Sequence, residues 1–162
     1  MGALIDSCRP SRRLVLVLGL IVGLLAACGG GGGGSSADRQ ISVSDAFALA
    51  TVAGQPNGAV YFTIVSAGAD TLERIEVPDS IADHTEIHET VSGANGAMSM
   101  REIKSGVALD PGTAVTFTPG GKHVMLVDLV QPLAAGQTFD ATLEFARADS
   151  VTLPVAVVES AP

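Results

Sequence analysis

The sequence predicts an all-β domain, an antiparallel β-sandwich. Its apolar segments are short and rich in β-branched residues, and clusters of Gly, Pro, Asn and Asp interrupt them about every 8 to 12 residues. No stretch keeps a 3.6-residue apolar period over the length of a helix.

Taken in order, Ile41-Ser42-Val43 alternates apolar and polar as a half-buried strand does. Ser44 to Ala50 admits a helix, although its apolar pattern is too short to require one. Ala59 to Val65 is a dense apolar run bounded by Pro56-Asn57-Gly58 and by Ala67-Gly68-Ala69-Asp70. Leu72 to Val77 alternates and stops at Pro78-Asp79, where proline removes a ladder donor. Thr85 to Val91 and Met98 to Ile103 flank the turn-forming Ser92-Gly93-Ala94-Asn95-Gly96 and read as a hairpin. Val107 to Leu109, Ala114 to Thr118, His123 to Val130, Phe139 to Phe145 and Val151 to Val158 complete the strands. Asp110-Pro111-Gly112, Pro119-Gly120-Gly121 and Pro132 to Gln137 supply turns between them. Tyr61, Phe62, Phe117, Phe139 and Phe145 are assigned to the core or its margin.

At 162 residues the chain has room for one ordinary domain and a targeting segment. Arg9, Arg12 and Arg13 precede the apolar run Leu14 to Ala27, which is shorter than the roughly 20 residues a membrane-spanning helix needs. Basic flank and short apolar run together read as an export signal over residues 1–27. The segment ends in Leu25-Ala26-Ala27-Cys28, which resembles a bacterial lipoprotein box, with cleavage before Cys28 and lipid attachment to its sulfur. Ordinary cleavage to a secreted, unlipidated protein is the alternative. Gly29 to Gly34 and Ser35-Ser36-Ala37 have no side chains to bury, so residues 28–37 form a flexible tether and 38–159 the folded domain. The expected location is the periplasmic or extracellular face of the cell envelope.

The signal holds three of the nine basic residues and one of the seventeen acidic ones, leaving six against sixteen. That balance disfavours nucleic acid and anionic headgroups as partners, so lipid on Cys28 is the expected membrane attachment. Cys8 leaves with the signal and lipid blocks Cys28, which leaves the domain without a thiol in an oxidising compartment. A blue-copper electron carrier, which needs one cysteine with two histidines, is thereby excluded.

The densest chemistry lies between His88 and Met125. Apart from Met1, every methionine (Met98, Met100, Met125) falls in this stretch, together with two of the three histidines; His84 lies just upstream. Residues two apart on a strand share a face, so His123 and Met125 project together, as do Met98 and Met100. If the hairpin and the His123 strand meet at one end of the sandwich, His88, Met100, His123 and Met125 converge. Two imidazoles and two thioethers are a neutral, soft set suited to Cu(I). Methionine also fills gaps in cores, so packing alone is a competing account of the pattern. His84, Glu86 and His88 share a strand face and leave zinc as a minor reading, while His84 alone reads better as a surface residue. No GxSxG elbow supports nucleophilic catalysis, and the chain is expected not to be an enzyme.

The spacing of these residues resembles that of the periplasmic PCuAC copper chaperones. That family carries a histidine, a methionine about a dozen positions on, and a His-x-Met pair a little over twenty positions later. Here Met100 follows His88 by twelve residues and His123-Val124-Met125 follows after 23 more, about one position longer than the family's spacing. The extra residue falls in the turn Gly120-Gly121-Lys122. Gly58-Ala59-Val60-Tyr61-Phe62, Ile87-His88-Glu89-Thr90, Gly96 to Arg101 and Pro119 to Leu126 are similar to the family as well. Phe47 stands where tryptophan is more usual.

The resemblance implies a cupredoxin-like, Greek-key sandwich of immunoglobulin-like architecture. It implies one Cu(I) held by His88, Met100, His123 and Met125, with Met98 as a substitute or neighbour. The implied role is copper supply to the CuA centre of cytochrome c oxidase, through the copper-bearing subunit or a thiol-containing assembly protein. Some relatives carry a His/Met-rich tail, whereas this chain ends at Ala161-Pro162, so a single copper is expected. Two other roles fit the same sequence: a metal-free envelope lipoprotein that binds a protein, and copper sequestration at the same site.

Overall fold

The computed structural model describes residues 40–93 and 95–162. The expected signal segment, the expected lipid-attachment residue Cys28 and the expected tether to residue 37 lie outside the described residues, as do Asp38 and Arg39. Ten strands form: β1 (Ile41–Leu49), β2 (Gly58–Ser66), β3 (Asp70–Glu76), β4 (Ala82–Ser92), β5 (Met98–Glu102), β6 (Val107–Leu109), β7 (Ala114–Phe117), β8 (Lys122–Leu129), β9 (Thr138–Phe145) and β10 (Val151–Val158). Among the described residues there is no helix.

Hydrogen bonding links the strands in the order β5-β4-β8-β7-β2-β1-β10-β9-β3-β6, with β8 also pairing β2. The ladder curls so that β3 meets β4, where the Thr85 hydroxyl donates to the Ile75 carbonyl. Apolar side chains from both halves fill the interior, among them Val60, Phe62 and Ile64 of β2, Val124 and Leu126 of β8, and Leu143 and Val155 from β9 and β10. Phe62 and Phe117 stack at 4.4 Å between ring centroids. Phe139 is buried and Phe145 packs half-buried against the core.

Most pairings are antiparallel, but β1 runs parallel to β10 and β7 runs parallel to β8, so the sheet is mixed. The helix admitted over Ser44 to Ala50 does not form. Those residues belong to β1, whose register against β2 shifts between Ser44 and Phe47. Asp45 there has a φ of 55°, a left-handed conformation that aspartate tolerates, and its carboxylate accepts from the Ser44 hydroxyl at 2.9 Å. The bulge adds a residue without ending the strand, which disguises the alternation in the sequence. Pro154 of β10 pairs with Asp140 of β9 at a point before β10 reaches β1, so its missing N–H leaves no neighbour unpaired.

One turn has a steric requirement that a substitution exposes. Gly106, between β5 and β6, has a φ of 74°, and a Cβ there would sit 2.7 Å from the Leu72 carbonyl oxygen. Gly106→Ala combines a left-handed alanine with a backbone clash and is expected to cost more than about 2 kcal/mol. Urea unfolding should show a lower midpoint at an unchanged slope.

Candidate metal centre

Strand β4 is the organising element of the site, because β5 pairs along one side of it and β8 along the other. His88 lies opposite His123, Glu86 opposite Met125, Thr90 opposite Met100 and Ser92 opposite Met98. Ile87 and Val124, also opposite one another, are buried in the core. Alternation then puts His88, Met100, His123 and Met125 together on the outer face of the sheet. They occupy three successive rows: Met100, then the two histidines, then Met125. The imidazole centroids are 5.8 Å apart.

Met100, His123 and Met125 line one cleft of about 470 Å³, with Tyr61, Thr90, Thr51 and Gln55 among its other walls. None of its lining residues is Asp, Glu, Lys or Arg. Tyr61 reaches this face because Val60 faces the core and Ala59 pairs with Met125. Its ring lies 5.1 Å from that of Phe47, and burial pushes its phenol pKa up. Met98 falls one row beyond Met100, about 7 Å farther from the histidines along the strand.

Each imidazole is anchored through one ring nitrogen. His88 Nε2 lies 2.8 Å from the Glu86 carboxylate, which accepts and so fixes the proton on that nitrogen. The other nitrogen, Nδ1, keeps a lone pair; among the described residues it is the one buried side-chain nitrogen or oxygen without a hydrogen-bond partner. A buried polar atom left in that state costs about 1–3 kcal/mol, and a metal ion there would supply the missing partner. His123, 7% exposed, has Nδ1 3.1 Å from the Gly121 carbonyl, an acceptor that in the neutral ring places the proton on Nδ1 and the lone pair on Nε2. An imidazole held through one nitrogen by a carboxylate or a carbonyl is the usual arrangement of a metal-ligating histidine. The donors present therefore fit a soft cation.

The turn that precedes β8 takes part in holding His123. Thr118 N–H donates to the Lys122 carbonyl, Gly121 N–H to the Thr118 carbonyl, and the Gly121 carbonyl accepts from Thr90 N–H as well as facing His123. Gly120 takes a φ of 78°, which glycine adopts without strain. The turn thus anchors His123 through its backbone.

Behind the ligands, on the opposite face, Arg101 Nη2 lies 3.0 Å and Lys122 Nζ 3.4 Å from the Glu89 carboxylate. Each of these three residues is the chain neighbour of a candidate ligand. They hold β5, β4 and β8 in register, and the two cations keep the Glu89 pKa low. His84 is exposed and bonds Asp83 through Nδ1 at 2.9 Å, which raises its pKa; it stays apart from the cleft. Among the described residues no three His, Cys, Asp or Glu side chains form a metal-holding group, which weakens the zinc reading.

Sequence reasoning had Glu86 only as a partner in that zinc alternative. Its role as the orienting acceptor of His88 follows from the i, i+2 relation on a strand, which puts both side chains on one face. The hydrogen bond from His88 also holds the Glu86 pKa low. Glu86→Ala is expected to weaken metal binding about 10- to 100-fold by releasing the ring, read in a competition titration. The anchoring of His123 by a backbone carbonyl carries no side-chain signal and was not foreseeable.

Comparisons with known proteins bear on the family and the fold. The family model described as "Putative lipoprotein LpqE-like" matches residues 41–157. "Putative lipoprotein Lxx21020" of Leifsonia xyli subsp. xyli is 39% identical over 117 residues, 72% of this chain and 68% of the relative. Among solved structures, "Copper-bound PCuAC domain from PmoF2" superposes with a TM-score of 0.59 at 24% identity, covering 74% of this chain and 93% of that one. "Apo PCuAC domain from PmoF1" does so with a TM-score of 0.59 at 26% identity, over 75% of this chain and 94% of the other. The Cu(I) form of DR1885 from Deinococcus radiodurans gives 0.51 at 24% identity, over 71% and 76% of the two chains. The fold is that of PCuAC copper-binding domains.

Proposed function

The chain belongs to the LpqE-like lipoprotein family, and from that premise we propose that it is an exported, lipid-anchored Cu(I) carrier, not an enzyme. In this reading His88, Met100, His123 and Met125 hold one ion and pass it to the CuA centre of cytochrome c oxidase. Transfer is direct to the copper-bearing subunit or by way of a thiol-containing assembly protein.

One observation carries the reading: two facing histidines are each anchored through one nitrogen, and the free nitrogen of His88 is buried with no partner. Thioethers on the rows to either side complete a neutral donor set, which favours Cu(I) over Cu(II). The oxidation state is thus selected by ligand softness and not by a thiolate. The two thioethers carry no proton for the ion to displace, unlike a thiol ligand. Release is favoured from the open side, where Met100 is 62% exposed and accessible to a partner's donors.

Titration of the purified domain with Cu(I) under reducing conditions, against a chromophoric chelator, tests the carrier reading; one equivalent retained per domain is expected. Failure to retain copper favours the metal-free lipoprotein. Delivery is tested in a deletion strain, which should lose oxidase activity and regain it with added copper. Normal oxidase activity combined with lowered copper tolerance would instead assign the site to sequestration.

A further inference from the structure

Met98 is a large apolar side chain that the fold leaves 61% exposed. Among the described residues only Val52, Met100 and Val130 share that condition. It contributes nothing to the core, and a thioether on the surface of an exported protein is open to oxidation. Its position is nevertheless specific. It lies on β5, the strand at one end of the ladder, on the same face as the four candidate ligands and in the row next to Met100. The Ser92 hydroxyl opposite donates a hydrogen bond to its sulfur at 3.1 Å, which orients the thioether and leaves it a second lone pair.

Distance keeps Met98 out of the resting site. The histidines are two rows away, about 13 Å along the strand, whereas Met100 and Met125 are each one row away. Even with three rotatable bonds, the Met98 sulfur does not reach an ion held between both imidazoles. It does reach one that has moved outward onto Met100.

We propose that Met98 is a transfer ligand, a thioether that takes hold of Cu(I) on its way between the four-ligand site and an external donor. The inference rests on the Cu(I) reading of the site. In the exchange step the ion moves outward on Met100: its bonds to Met125, on the farthest row, and then to the two imidazoles break as bonds to Met98 Sδ and to the acceptor's first donor form. Copper stays Cu(I), and no proton moves because a thioether has none to lose. Met98 and Met100 then hold the ion at the exposed sheet edge, where an acceptor's donors displace them. The hairpin presents its sulfurs as a file leading out from the imidazoles, and the Ser92 hydrogen bond keeps the outermost one on the ligand face.

The test uses the mature lipoprotein in detergent, loaded with one Cu(I). Equilibrium affinity is measured by competition, and the rate of copper loss to bicinchoninate by stopped flow. Met98→Leu preserves size and apolarity at a surface position and removes only the sulfur. Its affinity should equal that of the wild type, while its transfer rate falls about tenfold, the effect of losing one contact made in the transition state. An unchanged rate overturns the proposal, and so does a fall in affinity matching the fall in rate, which would make Met98 an equilibrium ligand. A wild-type protein that retains no Cu(I) overturns the carrier reading itself, and this inference with it.

Discussion

Replacing His88 by alanine should lower Cu(I) affinity by more than about 100-fold, beyond the usual effect of losing a residue that merely orients a ligand. The same substitution should leave the copper-free protein no less stable, or make it more so. The reason is the unpartnered Nδ1, whose burial costs free energy in the metal-free state and is offset only when an ion binds. A structural histidine behaves in the opposite way, since its removal lowers stability and spares binding. Competition titration and urea unfolding on the same variant separate the two roles. His123→Ala should match it in affinity but lose more stability, because that ring is more deeply buried and faces the Gly121 carbonyl that also pairs with Thr90.

The second large effect is thermal. An ion that binds only the folded domain stabilises it by RT ln(1 + [L]/Kd), about 4 kcal/mol at a thousandfold excess over Kd. For a domain of this size that corresponds to a rise in Tm of roughly 10 to 20 °C. Differential scanning calorimetry with and without Cu(I) reads it directly, and the rise should vanish in His88→Ala. A midpoint indifferent to Cu(I) would point to the metal-free lipoprotein.

The strand pattern was legible because β-branched runs and turn residues alternate cleanly from Ala59 onward. The bulge at Asp45 was not, since inserting one residue makes Ala46 to Ala50 look like a short apolar helix face. The parallel pairings of β1 with β10 and of β7 with β8 were equally hidden, because local alternation says nothing about which distant strand lies alongside. Of the candidate site, the four side chains and their shared face followed from spacing and parity. Their order in rows needed the register of β4 against both neighbours, and it is this register that separates Met100 from Met98. Phe47, standing where the resembling family more often has tryptophan, keeps an aromatic contact with Tyr61 at the cleft wall.

The Cu(I) reading requires two imidazoles and two thioethers around one ion. Copper K-edge X-ray absorption on the protein loaded with one equivalent tests it most directly. The expected result is a Cu(I) edge and a first shell of about two nitrogens and two sulfurs, with imidazole outer-shell scattering from two rings. The sulfur contribution should halve in Met125→Ala. A first shell of nitrogen and oxygen alone, or a spectrum unchanged in Met125→Ala, would contradict it.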